Sequence, residues 1–348
     1  MTYGRIPLAI LLLALTTCGR TPASLSPSSS HSFSSSANSS QLASQPAPPL
    51  HASALQRFEV RRFSGVHVNG VLSVIFLPGA KQAVSSGVDD SARIWDVASG
   101  TEGKRFSGKM FHFQDIALSS DGRYALTPAP DATLHYWDVE SGKDLRQFSG
   151  AQVSLGTVAL SPDGKLAAGA GQDTAIHLWD VATGKHLRQF TVNAPVIRIT
   201  FSGDGRLRSV TGDGRICAWS TGQDKPLGCA SAGPDPVSQA AFSADGHQLL
   251  IAGRYGSLML WDLERSTLVR KLEGSEGDIV AAGFSADGKL GLSGGSDNTV
   301  RLWDLTTGVQ IATTKSAGSY VSCVAFSADS TLALFGSDDG TVSLWRLQ

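Results

Sequence analysis

Cysteine is scarce, with four residues in a chain of 348, too few for a disulfide framework. Glutamate is sparse as well: Glu59, Glu102, Glu140, Glu264, Glu273 and Glu276 are the whole set, and they are scattered. There is no Cys-x-x-Cys, no His-Glu-x-x-His and no Gly-rich phosphate loop, so the common zinc and nucleotide chemistries have no motif to rest on. Charged residues make up 17% of the chain and the formal net charge is −1. No global field therefore favours nucleic acid or an anionic membrane surface. Ser, His and Asp combinations exist only because Ser and Asp are frequent, and none has motif support. His135, His177 and His186 fall where a partly exposed polar residue is ordinary. We expect no catalytic residue, no metal and no cofactor.

What the chain does have is a period. It holds seven tryptophans, Trp95, Trp137, Trp179, Trp219, Trp261, Trp303 and Trp345, at intervals of 42, 42, 40, 42, 42 and 42 residues. Five are followed by Asp: Asp96, Asp138, Asp180, Asp262 and Asp304. A fixed interval of this length marks a repeat array, and it overrides a division into two domains by length. The 38 glycines suit an all-β chain with many tight turns.

The copy around Trp303 shows how one repeat folds. Ile279 to Phe284 is apolar and β-prone, and Ser285-Ala286-Asp287-Gly288 supplies the positive φ of a tight turn. Leu290 to Ser293, Thr299 to Leu305 and Val309 to Thr314 read as three further strands. The Ser-x-Asp-Gly turn recurs at Ser119, Ser161, Ser202 and Ser243, and decays to Leu77-Pro78-Gly79 in the first copy and Ser327-Ala328-Asp329-Ser330 in the last. One carboxylate per turn is too few for a calcium site of about six to eight oxygens, so hairpin chemistry accounts for it. Both faces of each four-stranded sheet carry apolar residues and need cover. A closed ring of sheets provides that cover and leaves only short, protected edges.

These features resemble the WD-repeat family of β-propellers, over about residues 57 to 348. The resemblance implies a seven-bladed β-propeller of four-stranded antiparallel blades. Family blades carry an Asp in the turn before the Trp strand. The matching residues lie six positions before the Trp: Asp89, Asp131, Asp173, Asp213, Asp297 and Asp339, with Tyr255 in blade 5. In the family this Asp joins a buried network with the Trp and a His from a Gly-His pair. Here the His is mostly missing. Gly65-Val66-His67 is a shifted candidate, whereas Gly108, Gly150 and Gly274 are followed by Lys, Ala and Ser. The network is therefore expected to be incomplete, with the Asp holding its own turn's amides.

The last copy ends at Trp345-Arg346-Leu347-Gln348 without a fourth strand, while Arg61-Arg62-Phe63-Ser64-Gly65 parallels Leu145-Arg146-Gln147-Phe148-Ser149-Gly150. This N-terminal segment is expected to pair with Thr341 to Leu347 and close the ring. Blade 4 is irregular: it is two residues shorter, Ser220 follows Trp219, and Pro226 enters its outer strand. Its outer hairpin holds Cys217 and Cys229, spaced symmetrically about the turn. They could form a disulfide in an oxidising compartment, or be two small buried thiols. Cys323 reads as packing in an inner strand.

Upstream of the repeats, Met1 to Arg5 is short and basic, and Ile6 to Leu15 is apolar but too short to span a bilayer. Leu15-Thr16-Thr17-Cys18 resembles a bacterial lipoprotein box, with Thr17 where that family prefers Gly, Ala or Ser. The resemblance implies a signal peptide over residues 1–17 and lipidation at Cys18; a secretory signal cut near Ala23 is the other reading. Gly19 points to the outer membrane, facing the periplasm. Residues 18–54 are Ser-, Pro- and Ala-rich and read as a disordered tether ahead of a propeller domain at 55–348.

In the family, partners bind the rim around the central channel, at turns entering first strands and between second and third strands. Residues there that break the small or apolar pattern are His67, Phe111, His112, Gln114, Arg254, Tyr255, Asp278, Tyr320 and Asp338. The expected function is a membrane-tethered, exported scaffold, monomeric, that binds another protein or peptide and no nucleic acid. The alternatives are an exported propeller enzyme, hydrolase- or lactonase-like, with a central-channel site, and an envelope-assembly lipoprotein.

Overall fold

Seven four-stranded antiparallel sheets follow one another along the chain, six of them each built from one continuous segment, and they close into a seven-bladed β-propeller. The computed structural model describes residues 59–63, 67–233, 235–316 and 320–347. Cys18, the signal segment and the tether lie outside the described residues. Among the described residues no helix is long and apolar enough to cross a membrane.

Each blade runs outward from the ring centre in sequence order. Blade 3 is representative: Leu155–Leu160, Leu166–Gly171, Ala175–Asp180 and His186–Thr191 pair in succession. Blade 7 takes its outer strand from the other end of the chain. Glu59–Phe63 pairs antiparallel with Val342–Arg346, with Phe63 opposite Val342. The closing strand thus occupies an edge that would otherwise be an open template for pairing.

Carboxylates hold the turns. In six blades a Ser hydroxyl donates to the Asp two residues on, as Ser161 does to Asp163 at 2.6 Å, and that Asp also accepts the N–H of Lys165 at 3.1 Å. The Asp after the Trp does similar work: Asp180 accepts both the backbone N–H and the hydroxyl of Thr183. Among the described residues no group of three metal-binding side chains gathers.

The Trp strands build the contacts between blades. Phe63 packs on Trp95, Phe106 on Trp137, Phe148 on Trp179 and Phe190 on Trp219, with ring centroids 5.3–6.2 Å apart. In each case an outer-strand Phe of one blade covers the tryptophan of the next. The indole N–H is satisfied from the second strand where that strand offers a hydroxyl: Ser85, Ser209 and Ser293 accept at 2.9 Å and Thr127 at 3.2 Å.

Blade 4 keeps the architecture despite its shorter repeat. Cys217 and Cys229 are directly opposed across its third and fourth strands and are joined by a disulfide, with Cα atoms 4.2 Å apart. Cys323 is a free thiol; burial pushes it up to about 12, which suits packing and leaves it unreactive.

Candidate functional site

Turns of blades 5, 6 and 7 assemble a rim group from residues far apart in sequence. The second and third strands of blade 5 are joined by a short 3-10 turn, Arg254–Gly256. Tyr255 has φ 58° and ψ 33°, left-handed values that a bulky residue rarely adopts. Its backbone N–H donates to Oδ1 of Asp278 at 2.9 Å, which ties the turn to the entry of blade 6. Gly256, at φ 75°, has no room for a side chain, because a Cβ there would collide with the Ser275 carbonyl oxygen. The turn is thereby held with the Tyr255 side chain 90% exposed.

Tyr320 precedes the first strand of blade 7, and its carbonyl accepts the N–H of Asp338 at 3.1 Å. Burial, reinforced by the carboxylates of Asp338 and Asp278, raises its phenol above the ordinary value of 10.0. Burial also raises Asp338, with Asp339 adding to the effect. Arg254, Tyr255, Asp278, Tyr320 and Asp338 therefore form one neighbourhood: an exposed aromatic, a half-buried aromatic, a cation and two carboxylates.

The other rim residues do not join it. His112 is half-buried and pairs through Nδ1 with Asp90 at 2.8 Å. Phe111 is buried against Trp137. Gln114 is exposed and lines the central channel. His67 has to be removed from the rim set, since it is only 2% exposed. Its Nδ1 meets Asp89 and its Nε2 meets Ser85, each at 2.8 Å, and Ser85 in turn accepts the indole N–H of Trp95. Blade 1 thus contains a His–Asp–Ser–Trp network. Burial lowers the His67 pKa despite the opposing pull of Asp89.

Elsewhere the turn Asp finds other partners. Asp131, Asp297 and Asp339 accept the N–H two residues on at 2.9–3.1 Å, with longer equivalents at Asp173 and Asp213. In two of these blades the third strand supplies a nitrogen partner two positions before the Trp. Arg301 reaches Asp297 at 2.7 Å, and His177 reaches Asp173 at 2.8 Å. His177 also contacts His186 through ring nitrogens 3.1 Å apart. With the carboxylate fixing the proton on Nε2 of His177, its Nδ1 is the acceptor and His186 the donor.

The channel holds a polar cluster that the motif reading missed. A cavity of about 290 Å³ is lined by first strands or their approaches from six blades, including Gln114, Asp115, Arg198 and Gln239. Asp115 is 5% exposed. It accepts four hydrogen bonds: from its neighbour Ile116 N–H (3.0 Å), Thr157 hydroxyl (2.9 Å), Val158 N–H (3.0 Å) and Arg198 Nη1 (2.7 Å). Blades 2, 3 and 4 are tied through this one carboxylate. The available signal lay in the register of the repeats: Asp115, Thr157, Arg198 and Gln239 occupy equivalent places in successive repeats.

The family model described as WD domain, G-beta repeat matches residues 59–96, 142–180, 226–262, 266–304 and 308–346, together more than half of the chain. Each matched segment starts at or near the outer strand of one blade and ends at the Trp strand of the next, so the first match includes the closing strand. No curated protein matches the chain.

Proposed function

Because the chain belongs to the WD domain, G-beta repeat family, we propose that it is a non-enzymatic scaffold that binds another protein or a peptide on the propeller rim. The observation that carries this reading is the turn at Tyr255. A large aromatic held 90% exposed, in a backbone conformation that costs free energy, has no packing role to justify it. Arg254 beside it is exposed too, and Tyr and Arg are favoured anchors in protein interfaces. In the channel, by contrast, Asp115 is fully engaged as a brace and offers no free base.

In this proposal the propeller is exported and tethered to the bacterial envelope by acylation of Cys18, at the outer membrane facing the periplasm. The support is the apolar run ending in Leu15-Thr16-Thr17-Cys18. The Cys217–Cys229 disulfide is consistent with an oxidising compartment. More than one acyl chain would be needed to hold the protein stably at a bilayer.

In-cell crosslinking followed by purification from detergent-solubilised membranes tests both parts. A discrete protein partner is expected, lost in Arg254→Ala/Tyr255→Ala and retained when a rim position on the far side, His112, is changed to Ala. No enriched protein in the wild-type sample would count against the scaffold. Cys18→Ala protein that stays in the membrane fraction would refute the tether.

A further inference from the structure

At one packing position blades 4, 5 and 6 depart from the other four, with Ala230, Leu272 and Thr314 in place of Phe, and blade 4 has the smallest residue. In four blades, the residue opposite the third position before the Trp is Phe: Phe63 faces Val342, Phe106 faces Ala92, Phe148 faces Leu134 and Phe190 faces Ile176. Each of these rings covers the next blade's tryptophan. In blade 4 the residue facing Ile216 is Ala230. The next tryptophan, Trp261, then lies across a cavity of about 150 Å³ lined by Ala230, Ile216, Gly228, Leu263 and Arg208. Ile216, Ala230 and Leu263 are its apolar walls; it opens to solvent past Gly228, which is exposed, and it is large enough for a benzene ring.

The walls also carry unmet polar demand. The Nε–H of Arg208 and the indole N–H of Trp261 are buried without a hydrogen-bond partner. For Trp261 the cause is visible: Ile251 faces blade 5's Trp strand at the place where Ser85, Ser209 and Ser293 accept the indole N–H in their blades. Arg208, Ala218 and Gly228 lie in register across blade 4, so they share one face of the sheet. Cys217 and Cys229 alternate with them along the strands and also line the cavity, so the disulfide braces this wall. Both orphan groups are donors, one of them part of a guanidinium. Their complement is an acceptor carrying negative charge.

We propose that the cavity between blades 4 and 5 is a binding site for a small aryl carboxylate. Its ring takes the place that an intramolecular Phe fills in four other blades, and its carboxylate meets Arg208. This site is separate from the rim and does not depend on the scaffold reading.

Titration calorimetry of the full chain with 3-phenylpropionate tests it, with butyrate and benzyl alcohol as probes lacking the ring or the charge. We expect 3-phenylpropionate to bind with a Kd at or below about 1 mM and to outcompete both. Ala230→Phe should reproduce the packing of those four blades, keep the unfolding temperature at or above wild type, and weaken binding at least about ten-fold. If that variant does not fold, Gly228→Leu serves, because a Cβ at Gly228 meets no atom within 4 Å. Arg208→Gln should weaken 3-phenylpropionate about ten-fold while leaving benzyl alcohol unchanged. Absent binding to the wild type, undiminished binding in the folded cavity-filling variant, or equal affinity of wild type and Arg208→Gln for 3-phenylpropionate would each overturn the proposal.

Discussion

Arg198 of blade 4 donates to the buried carboxylate of Asp115 at 2.7 Å, across 83 residues of chain and past the intervening blade 3. Adjacent blades touch through packing throughout the ring, but this pair spans two blade boundaries. Asp115 is 6% exposed at its side chain and Arg198 35%, so the carboxylate bears most of the desolvation and relies on all four of its donors. Asp115→Ala strands the buried Thr157 hydroxyl and the Ile116 and Val158 N–H groups, at about 1–3 kcal/mol each, and is expected to destabilise the fold by about 3 kcal/mol or more. Arg198→Ala leaves three donors in place, and water screens the exposed guanidinium. Its cost is expected to be about 1–2 kcal/mol. Urea unfolding of the two variants checks the ranking, and equal midpoints would refute it.

Strong acid should remove the contribution of two turn carboxylates. At Asp89 burial favours the neutral form, but hydrogen bonds from Ser91 and His67 outweigh it and hold the pKa at about 2. At Asp297 burial is likewise outweighed, by Arg301 and Thr299, again giving about 2. Both folded values lie below the ordinary 3.8. The stability they contribute is therefore present above about pH 4 and lost as pH falls toward 2, on the order of 2 kcal/mol each. Asp297→Asn should flatten part of that fall in an unfolding series between about pH 5 and pH 2.

A second window lies higher. His186 is lowered below 6.5 by burial and by neighbouring His177, and His67 is lowered chiefly by burial. The unfolded chain takes up these protons first. The corresponding stability is complete above about pH 6.5 and declines as pH drops through the folded values. Melting temperature measured between about pH 7.5 and pH 5 should fall less steeply in His186→Gln than in wild type.

Tyr255 should separate stability from binding. Tyr255→Gly suits φ 58° and is expected to stabilise the fold by about 0.5–1 kcal/mol, while abolishing partner capture by the rim. Tyr255→Val should destabilise it, because a β-branched residue fits this conformation worst. Thermal unfolding and the crosslinking assay, run on the same two proteins, decide the matter. A Gly variant that melts lower than wild type would contradict the strain.

The disulfide closes a short loop, with its cysteines 12 residues apart, so reducing it is expected to cost about 2–3 kcal/mol through the unfolded state. The urea midpoint of wild type should fall with added reductant, while that of Cys217→Ser/Cys229→Ser should not move. A wild-type midpoint insensitive to reductant would show that the bond contributes nothing to equilibrium stability.

Much of this molecule was legible in one dimension because a repeat states its rules seven times. The Trp interval, the Ser-x-Asp-Gly turns and the displaced Arg61-Arg62-Phe63 segment determined the number of blades, the strand order and the closure of blade 7. Local chemistry at fixed spacing settles such features: a turn needs its glycine and its carboxylate, and a two-faced strand needs cover on both sides. The departures at Arg254 and Tyr255 were visible for the same reason, as breaks in a pattern. Only the tertiary structure decided which of these departures meet. It buried His67 in blade 1, joined Tyr255 to Asp278, and set Arg198 against Asp115. It also left a cavity beside Trp261, because Ala230 stands opposite Ile216 where four other blades place a ring. Contacts of this kind depend on how neighbouring sheets face one another around the ring. Spacing along one chain constrains a blade, but the fit between blades is a property of side-chain volume and charge in three dimensions.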